Sequence, residues 1–378
     1  MTTPDLKEKA GDNLAVGVSS VELRCFRNYR SLEVDLHTGF NVIAGPNAQG
    51  KTNFLESLYL LSTTRLLRGQ KDSEAVLDGS EQATVIAELM GGRTQIGVTL
   101  EAGVRKRAIL NGLKLPRASD LIGRLPCVCI SSLDLAIVRD EPSDRRLFLD
   151  LELSSLYPAY LRHLATYKRA LEQRNSLLRD SRDFMQPSVL FEPWEEQIAA
   201  AGAALRQSRT EYVARLSPVS AERHALMGEG ESLSLGYATK DEAGSADEIR
   251  AALERGRAYD VGRGGTSVGP HRDDLSIQID GREARLFGSQ GQQRTSVIAI
   301  KLATLEIGRQ TLSSPPLLLL DDILSDLDER RRAALVELVL AQAGQTVLTC
   351  TEAAAAGKGI LDQAKVFSVR AGEMIPPA

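Results

Sequence analysis

A chain of 378 residues, 43% hydrophobic and 25% charged, is long enough for two or three packed units and has the composition of an ordinary globular protein. Its 46 Lys and Arg against 50 Asp and Glu leave a net charge of −4, which excludes a uniformly basic coat but leaves room for a local basic patch. No apolar run approaches the roughly 18 residues of a membrane span, and Met1 to Ser20 carries no signal-peptide pattern, so a cytoplasmic protein without a membrane partner is expected. The cysteines, Cys25, Cys127, Cys129 and Cys350, are scattered and share no metal spacing with the histidines, so they read as reduced core thiols.

Residues 1–13 read as a flexible tail. Val18 to Phe26 then reads as a strand and Asn28 to Ser31 as a turn. Leu32, Val34 and Leu36 alternate with acids in an antiparallel partner. Phe40 to Ala44 is apolar and partly β-branched, a buried strand. It runs directly into Gly45-Pro46-Asn47-Ala48-Gln49-Gly50-Lys51-Thr52, the pattern G-x-x-x-x-G-K-T, and Asn53 to Leu61 follows with helical spacing. Strand, glycine loop and helix form the context of a phosphate-binding loop. The glycines let backbone N–H groups turn inward on a polyphosphate, and the helix N-terminus adds its positive dipole end. Lys51 is placed to reach the β and γ phosphates of ATP, and Thr52 to ligate Mg²⁺.

Arg65, Arg68 and Lys71 lie in a loop beyond that helix and are candidates, with the basic segment that follows, for contacts to the phosphate backbone of DNA. From Ala83 to Leu115 the pattern is β-like, with Asn111-Gly112 as a type I′ hairpin pair. Residues 101–124 hold Arg105, Lys106, Arg107, Lys114, Arg117 and Arg124 against Glu101 and Asp120. This segment reads equally as a solvated edge or as a surface for a phosphate backbone. Pro126 to Ile130 is a short buried strand. Ser143 to Ser217 is helical, interrupted at Gln186-Pro187-Ser188 and Pro193, and reads as two long helices in an antiparallel arm. Residues 228–232 and 240–247 are loop-like. Asp247 to Ala258 is a further helix, Gly262 to Gly265 a flexible return, and Ser276 to Ile279 a strand.

Leu317 to Leu320 followed by Asp321 and Asp322 reads as a buried strand carrying acids at its C-terminal end, the Walker B pattern. Asp321 belongs on Mg²⁺ opposite Thr52, and Asp322 where a water-positioning carboxylate acts. About 270 positions separate Lys51 from Asp321, far more than one βαβ unit of some 30 residues needs, so a large insertion divides one ATPase core. The expected units are a tail at 1–13, an N-terminal half-lobe at 14–139, an inserted helical arm at 140–264 and a C-terminal half-lobe at 265–378. Ser289-Gln290-Gly291-Gln292 opens a helix and forms a second anion site. Because the P-loop already holds the phosphates, Ser289, Gly291 and Gln292 point to a nucleotide on another subunit, with a simple Ser289 helix cap as the bland alternative.

P-loop, insertion, S-x-G-Q signature, Walker B, and Ser325-Asp326-Leu327-Asp328 as a D-loop resemble, in this order, the ATP-binding-cassette superfamily. Within it, several stretches are similar to the RecF family of recombination-mediator ATPases: Phe26-Arg27-Asn28-Tyr29, Asp144-Arg145-Arg146 with Phe148-Leu149-Asp150, Tyr167 to Asn175, Trp194 to Gln197, Gly269 to Asp274 and Ser289 to Arg294. The resemblance implies an α/β, Rad50-head-like P-loop ATPase with a helical lid. It implies a homodimer gated by ATP and Mg²⁺, binding to double-stranded and gapped DNA, and action with RecO and RecR in placing RecA. Gln290 replaces the usual signature Gly. Asp322 replaces the usual Glu, a shorter reach that fits slow hydrolysis as a release switch. No Q-loop glutamine or switch histidine is evident; Ser131 to Asp134 stand at the Q-loop position, and Cys350 and Thr351 where the switch histidine belongs. The rival readings are an ABC transporter ATPase subunit and another SMC-like DNA clamp.

Overall fold

A computed structural model describes residues 17–68, 71–182, 186–312 and 314–375, so the expected tail at 1–13 lies outside the described residues. In chain order the strands are β1 Val18–Phe26, β2 Tyr29–Asp35, β3 Phe40–Ala44, β4 Gln82–Leu89, β5 Gln95–Glu101, β6 Arg107–Leu110, β7 Leu113–Lys114, β8 Cys127–Ser131, β9 Leu233–Ala238, β10 Asp274–Ile279, β11 Arg282–Glu283, β12 Leu317–Asp321, β13 Thr346–Cys350, β14 Ala364–Arg370 and β15 Glu373–Ile375. The α-helices are α1 Lys51–Thr63, α2 Ala136–Arg139, α3 Pro142–Leu156, α4 Pro158–Asp180, α5 Glu192–Met227, α6 Ala246–Arg263, α7 Ala284–Phe287, α8 Gln290–Leu312, α9 Glu329–Gln342 and α10 Lys358–Leu361.

The centre is a sheet in the order β15-β14-β3-β13-β12-β8, parallel except for β15. A parallel sheet is covered on both faces, which is why β3, β8, β12 and β13 read as continuous apolar runs rather than alternating ones. Alternate residues enter opposite cores. Val42, Ile130, Leu318, Leu320 and Leu348 pack with α5 and α8. Ile43, Cys129, Leu317, Leu319 and Val347 pack with α1 and an antiparallel sheet of order β2-β1-β4-β5-β6-β7. The four cysteines are free, and three of them are buried. The two strands flanking Asn111-Gly112 pair as expected, with φ of 50° and 77° at the turn.

Helices α4 and α5 pack side by side, and α5 continues to Met227 through Pro218. Leu205, Tyr212, Val213 and Leu216 of α5 share one core with Val297, Ile300 and Ala303 of α8, so the lower half of this pair is built into the lobe. Several local expectations shift. The turn expected at Asn28 to Ser31 is tighter, because β2 already begins at Tyr29 and Arg27 takes the left-handed conformation. Pro193 does not break a helix but sits in the first turn of α5, where a missing N–H costs nothing. Helix α6 runs five residues beyond Ala258, and the stretch expected to be flexible begins inside it. Gly264, at φ 70°, stops it by donating its N–H to Asp260 O over 2.7 Å. Strand β9 was hidden in weakly alternating text; it pairs with β10, which supplies the partner its sequence does not announce.

Candidate active site

Strand β3 carries the chain between β13 and β14 into the loop at 45–50, and α1 begins at Lys51 without a side-chain cap. The turn between β1 and β2 grips this loop. Asn28 Nδ2 donates to Gln49 O over 2.9 Å, Asn53 Nδ2 donates to Asn28 Oδ1 over 2.8 Å, and Tyr29 OH donates to Gly50 O over 3.0 Å. Gly50 lies at φ 119°, and a Cβ there would fall 2.7 Å from Asn28 Nδ2, so no other residue fits. Beneath the loop, Arg27 Nε and Nη2 donate to the two carboxylate oxygens of fully buried Glu56 on α1, at 2.8 and 3.1 Å. From the other side Ala371 N donates to Gln49 Oε1 over 2.7 Å. Lys51 is 5% exposed, and its Nζ donates to Gly45 O and Pro46 O over 2.7 and 2.9 Å. The loop is thus preorganised by Arg27, Asn28 and Tyr29, whose roles no spacing rule reveals: they lie some twenty residues upstream and touch the loop only through pairing of the strands.

At the sheet's C-terminal edge Thr52 Oγ1 donates to Asp321 Oδ1 over 2.9 Å, and Thr349 Oγ1 donates to the same oxygen over 2.8 Å. Thr349 Oγ1 also accepts from Asp322 N over 2.9 Å. One threonine at the end of β13 therefore orders both acids, a role missed because a switch histidine was sought one or two residues further on. Burial pushes the Asp321 carboxyl above its usual range, against the lowering effect of the Thr349 and Thr52 hydroxyls and the nearby Arg68 charge. Asp322 sits at φ 51°, in the left-handed region that Asp and Asn tolerate best, and Ser325 Oγ donates to its O and Oδ1 over 2.7 and 3.0 Å. A hydroxyl and a carboxylate facing one another, beside a helix N-terminus and a buried ammonium, form a donor set of hard oxygens. These residues fit Mg²⁺ and a polyphosphate.

The signature residues gather elsewhere. Ser289 Oγ accepts from Gln292 N over 3.2 Å, and Gln292 Oε1 accepts from Ser289 N over 2.8 Å, a closed capping box. The cap and the anion site therefore coexist: the serine oxygen is used as acceptor while its hydroxyl proton remains to donate. Gln292 Nε2 donates to Glu231 Oε1 over 3.0 Å, and this bond, first among several, draws the Glu231 carboxyl down to about 2. Arg294 Nη1 donates to Asp326 O over 3.2 Å, tying α8 to the D-loop turn. Among the described residues no hydrogen bond joins Ser289, Gly291 or Gln292 to residues 45–52.

The basic residues divide. Arg105, Lys114, Arg65 and Lys71 are exposed. Lys106 is held by Asp72 and Thr64 O, both at 2.8 Å, Arg107 by Glu101 at 3.2 Å and Arg117 by Asp120 at 3.1 Å. Arg68 lies toward the nucleotide end, where its charge acts on Asp321. A cleft of about 660 Å³ brings Arg117 and Arg124 to face Arg162 and Arg169 of α4. The last two stand seven residues apart on one helical face, a spacing obscured by the mixed charge of the helical stretch. The Gly269–Asp274 stretch is structural: Asp273 accepts from Arg206 Nε and Tyr237 OH, both at 2.8 Å, and Asp274 from Arg145 Nε and Nη2 at 2.7 and 2.9 Å. Burial pushes His271 down to about 4, and its Nδ1 bonds Tyr167 OH over 2.6 Å.

A model of the RecF/RecN/SMC N-terminal domain matches residues 17–373. A DNA replication and repair protein RecF from Symbiobacterium thermophilum is 40% identical over 349 residues, covering 89% of this chain and 91% of the relative. The RecF of Lachnoclostridium phytofermentans is 36% identical over 340 residues, covering 88% and 92%. A solved structure of the recombination mediator protein RecF with ATP, in the RecFOR pathway, superposes with a TM-score of 0.86 at 29% identity, covering 96% of this chain and 98% of that one. An Smc head domain from Pyrococcus furiosus, at 16% identity and a TM-score of 0.55 with 96% of both chains covered, shares the fold alone. With the P-loop, Walker B acids and signature helix set on that fold, the chain belongs to the RecF family.

Proposed function

We propose that this protein is an ATP-driven DNA-binding switch of recombinational repair and replication-fork maintenance. The observation that carries it is the apposition of Thr52 and Asp321 across the sheet edge, beside the buried Lys51. The polyphosphate of ATP is taken by the 45–52 loop and Lys51, and Mg²⁺ by Thr52 and Asp321. When bound, the metal neutralises phosphate charge as phosphoryl transfer proceeds. Asp322 orients a water and accepts its proton from a rigid, left-handed corner fixed by Thr349 and Ser325. Its short reach makes turnover slow, and DNA raises it only weakly, so hydrolysis acts as a release timer.

The signature residues Ser289, Gly291 and Gln292 make no hydrogen bond to the chain's own P-loop among the described residues, which supports a two-fold dimer closed by ATP. Each chain lends Ser289, Gly291 and Gln292 to its partner's nucleotide. Duplex and gapped DNA meet the exposed cations of the β5–β7 edge and the loop after α1. The likeness to a recombination mediator of the RecFOR pathway supports RecO and RecR as the partners, and the placing of RecA is the role proposed for them together. Sedimentation with and without ATP and a gapped duplex tests the reading: ATP should double the mass and DNA should join the dimer. A mass independent of ATP would remove the switch.

A further inference from the structure

The Gly269–Asp274 turn is locked in place at nearly every residue. Gly269 lies at φ 122°, and a Cβ there would fall 2.5 Å from Tyr167 OH. Arg209 Nη1 donates to Pro270 O over 2.8 Å. His271 Nε2 donates to Thr266 O over 2.9 Å, so its Nδ1 accepts from Tyr167 OH and the ring is fixed as one neutral tautomer. Asp273 is gripped by Arg206 Nε and Nη2, both at 2.8 Å. Arg272 differs from its neighbours: only its backbone is used, the N–H donating to Gly269 O over 2.9 Å. Its half-buried guanidinium has no hydrogen bond or ion pair among the described residues, and none of its nitrogens is closed off from solvent. A rigid turn thus displays an unpaired fork of donors.

A second cation stands at the same turn. Arg146, in the second turn of α3, donates from Nη1 to Asp273 O over 2.8 Å and has no carboxylate partner among the described residues. The acids nearby are committed to other cations: Asp150 to Arg209 at 2.7 Å and Lys168 at 3.2 Å, Asp273 to Arg206 at 2.8 Å and Asp274 to Arg145 at 2.7 Å. Burial first, then the Arg209 charge and, further down, that of Arg272 hold the Arg146 guanidinium below its ordinary range. Like charges half out of water with no acid between them are costly until an anion joins them. A phosphate has the oxygens to accept from both planar forks at once. We propose that Arg272 and Arg146 form a receptor for a phosphate group beside α4 and α5, with Arg272 as the presented ligand and Arg146 as its support. The phosphate comes from a nucleic-acid backbone or from a free phosphate-bearing ligand. The first source rests on the DNA-binding reading above; the second does not.

Arg272→Gln removes the charge and leaves the turn, which uses only the backbone of that residue, so the variant should melt with wild type in chloride. Arg272→Lys keeps the charge without the fork. Two arms are run on the full chain without nucleotide. In the first, hydrogen exchange of residues 265–275 is compared in sodium phosphate and in sodium chloride at equal ionic strength, with residues 45–52 as a phosphate-responsive control. For a free ligand, phosphate at about ten times its half-saturating concentration should slow exchange at 265–275 about tenfold in wild type, not at all in Arg272→Gln and by an intermediate factor in Arg272→Lys. The control segment should respond alike in all three. In the second arm, binding of a duplex of arbitrary sequence is measured across a salt series. For a DNA source, the slope of log K against log[salt] should flatten by about 0.9 in Arg272→Gln, the loss of one phosphate contact, and the duplex should protect 265–275. Either result supports the receptor and names its source. An unchanged slope overturns the inference when phosphate also protects 265–275 equally in wild type and Arg272→Gln, or in neither. If wild type binds no duplex at all, the DNA-binding reading falls, and the phosphate arm alone decides the receptor.

Discussion

Thr52 Oγ1 stands 2.9 Å from Asp321 Oδ1 although 269 positions separate the two residues. The first turn of α1 and the last residue of β12 meet because β13 alone lies between β3 and β12 in the sheet. Thr52→Val keeps the shape and removes the hydroxyl. ATP binding without metal should be unchanged, whereas the gain in affinity from Mg²⁺ should fall by about 10- to 100-fold, the effect of losing one of two protein ligands at roughly 1.4 kcal/mol per decade. Calorimetric titration of ATP with and without Mg²⁺ checks this; an undiminished Mg²⁺ effect would place the metal elsewhere.

Lys51→Ala removes a buried ammonium that now rests on Gly45 O and Pro46 O. A charged hydrogen bond is worth about 1.5–3 kcal/mol, so ATP should bind some 10- to 150-fold more weakly. The fold should persist, since Pro46 is exposed to water and only the Gly45 carbonyl is left buried. Equal affinity in the variant, read by the same titration, would refute the site.

Asp322→Asn preserves the backbone, because Asn tolerates φ 51° as well as Asp does. ATP and Mg²⁺ should bind normally, while single-turnover hydrolysis should slow by about 10²–10⁴-fold, the usual contribution of a general base. The ATP-bound dimer should then accumulate. Turnover at the wild-type rate would move the base to another group.

Asp321 gives a pH test. Its folded-state pKa is raised, chiefly by burial, so this group's stabilising contribution is fully present below the unfolded value of about 3.9 and is lost as pH rises through the folded value. In the absence of ligand, Asp321→Asn should therefore melt above wild type at pH 7, and this advantage should disappear below about pH 4. Adding ATP and Mg²⁺ should reverse the order, since only the carboxylate binds the metal. Melting curves at both pH values decide; a variant less stable than wild type at pH 7 without ligand contradicts the assignment.

The parts of the site legible in the sequence were those that one stretch of chain makes by itself. The P-loop, the acids after Leu320 and the cap at Ser289 each need only a strand or helix terminus and a few fixed offsets. What escaped is what distant stretches make together. Asn28 and Tyr29 grip the P-loop, and Thr349 orders Asp321 and Asp322, only once the strands are paired. The same holds for fold details. The central strands were visible because burial on both faces makes them uniformly apolar, whereas β9, with one edge and mixed exposure, had no such mark. The Gly269–Asp274 stretch stood out as a motif, but its chemistry is structural and appears only when Arg206 and Arg145 arrive from α5 and α3.

Three arginines of the cleft, Arg117 and Arg124 from one segment and Arg169 from α4, face one volume. If duplex DNA crosses this edge, changing the three to Gln should flatten the slope of log K against log[salt] by roughly 2–3 units, because each phosphate contact releases counterions. The loss should be alike for unrelated sequences, as such contacts carry no base information. Filter binding across a salt series is sufficient, and a slope equal to wild type would clear the cleft of any role with DNA.

The dimer makes the most demanding prediction. Ser289 caps α8 through Gln292 and offers its hydroxyl outward, and that hydroxyl has no nucleotide of its own to serve. Ser289→Arg places bulk at this junction. It also removes a cap worth about 1 kcal/mol, so Ser289→Asn, which caps equally well without the bulk, is the control. ATP binding to each monomer should survive in both variants, and dimer formation should fail in Ser289→Arg. Mixing Ser289→Arg with Lys51→Ala then has a definite outcome. One site joins the intact P-loop of the first chain to the intact signature of the second. The other site joins the defective P-loop of the second to the defective signature of the first. At ATP concentrations too low to fill the Lys51→Ala site, the mixture should form heterodimers holding one ATP, with at most half the wild-type turnover, whereas neither variant alone dimerises. ATP stabilises such a dimer only to the extent that it binds the dimer better than the monomer, so the mass measured by light scattering should rise with ATP at fixed protein concentration. If Ser289→Arg dimerises as readily as wild type, or the mixture forms no heterodimer while each chain still folds, the signature does not serve a nucleotide held by a second chain.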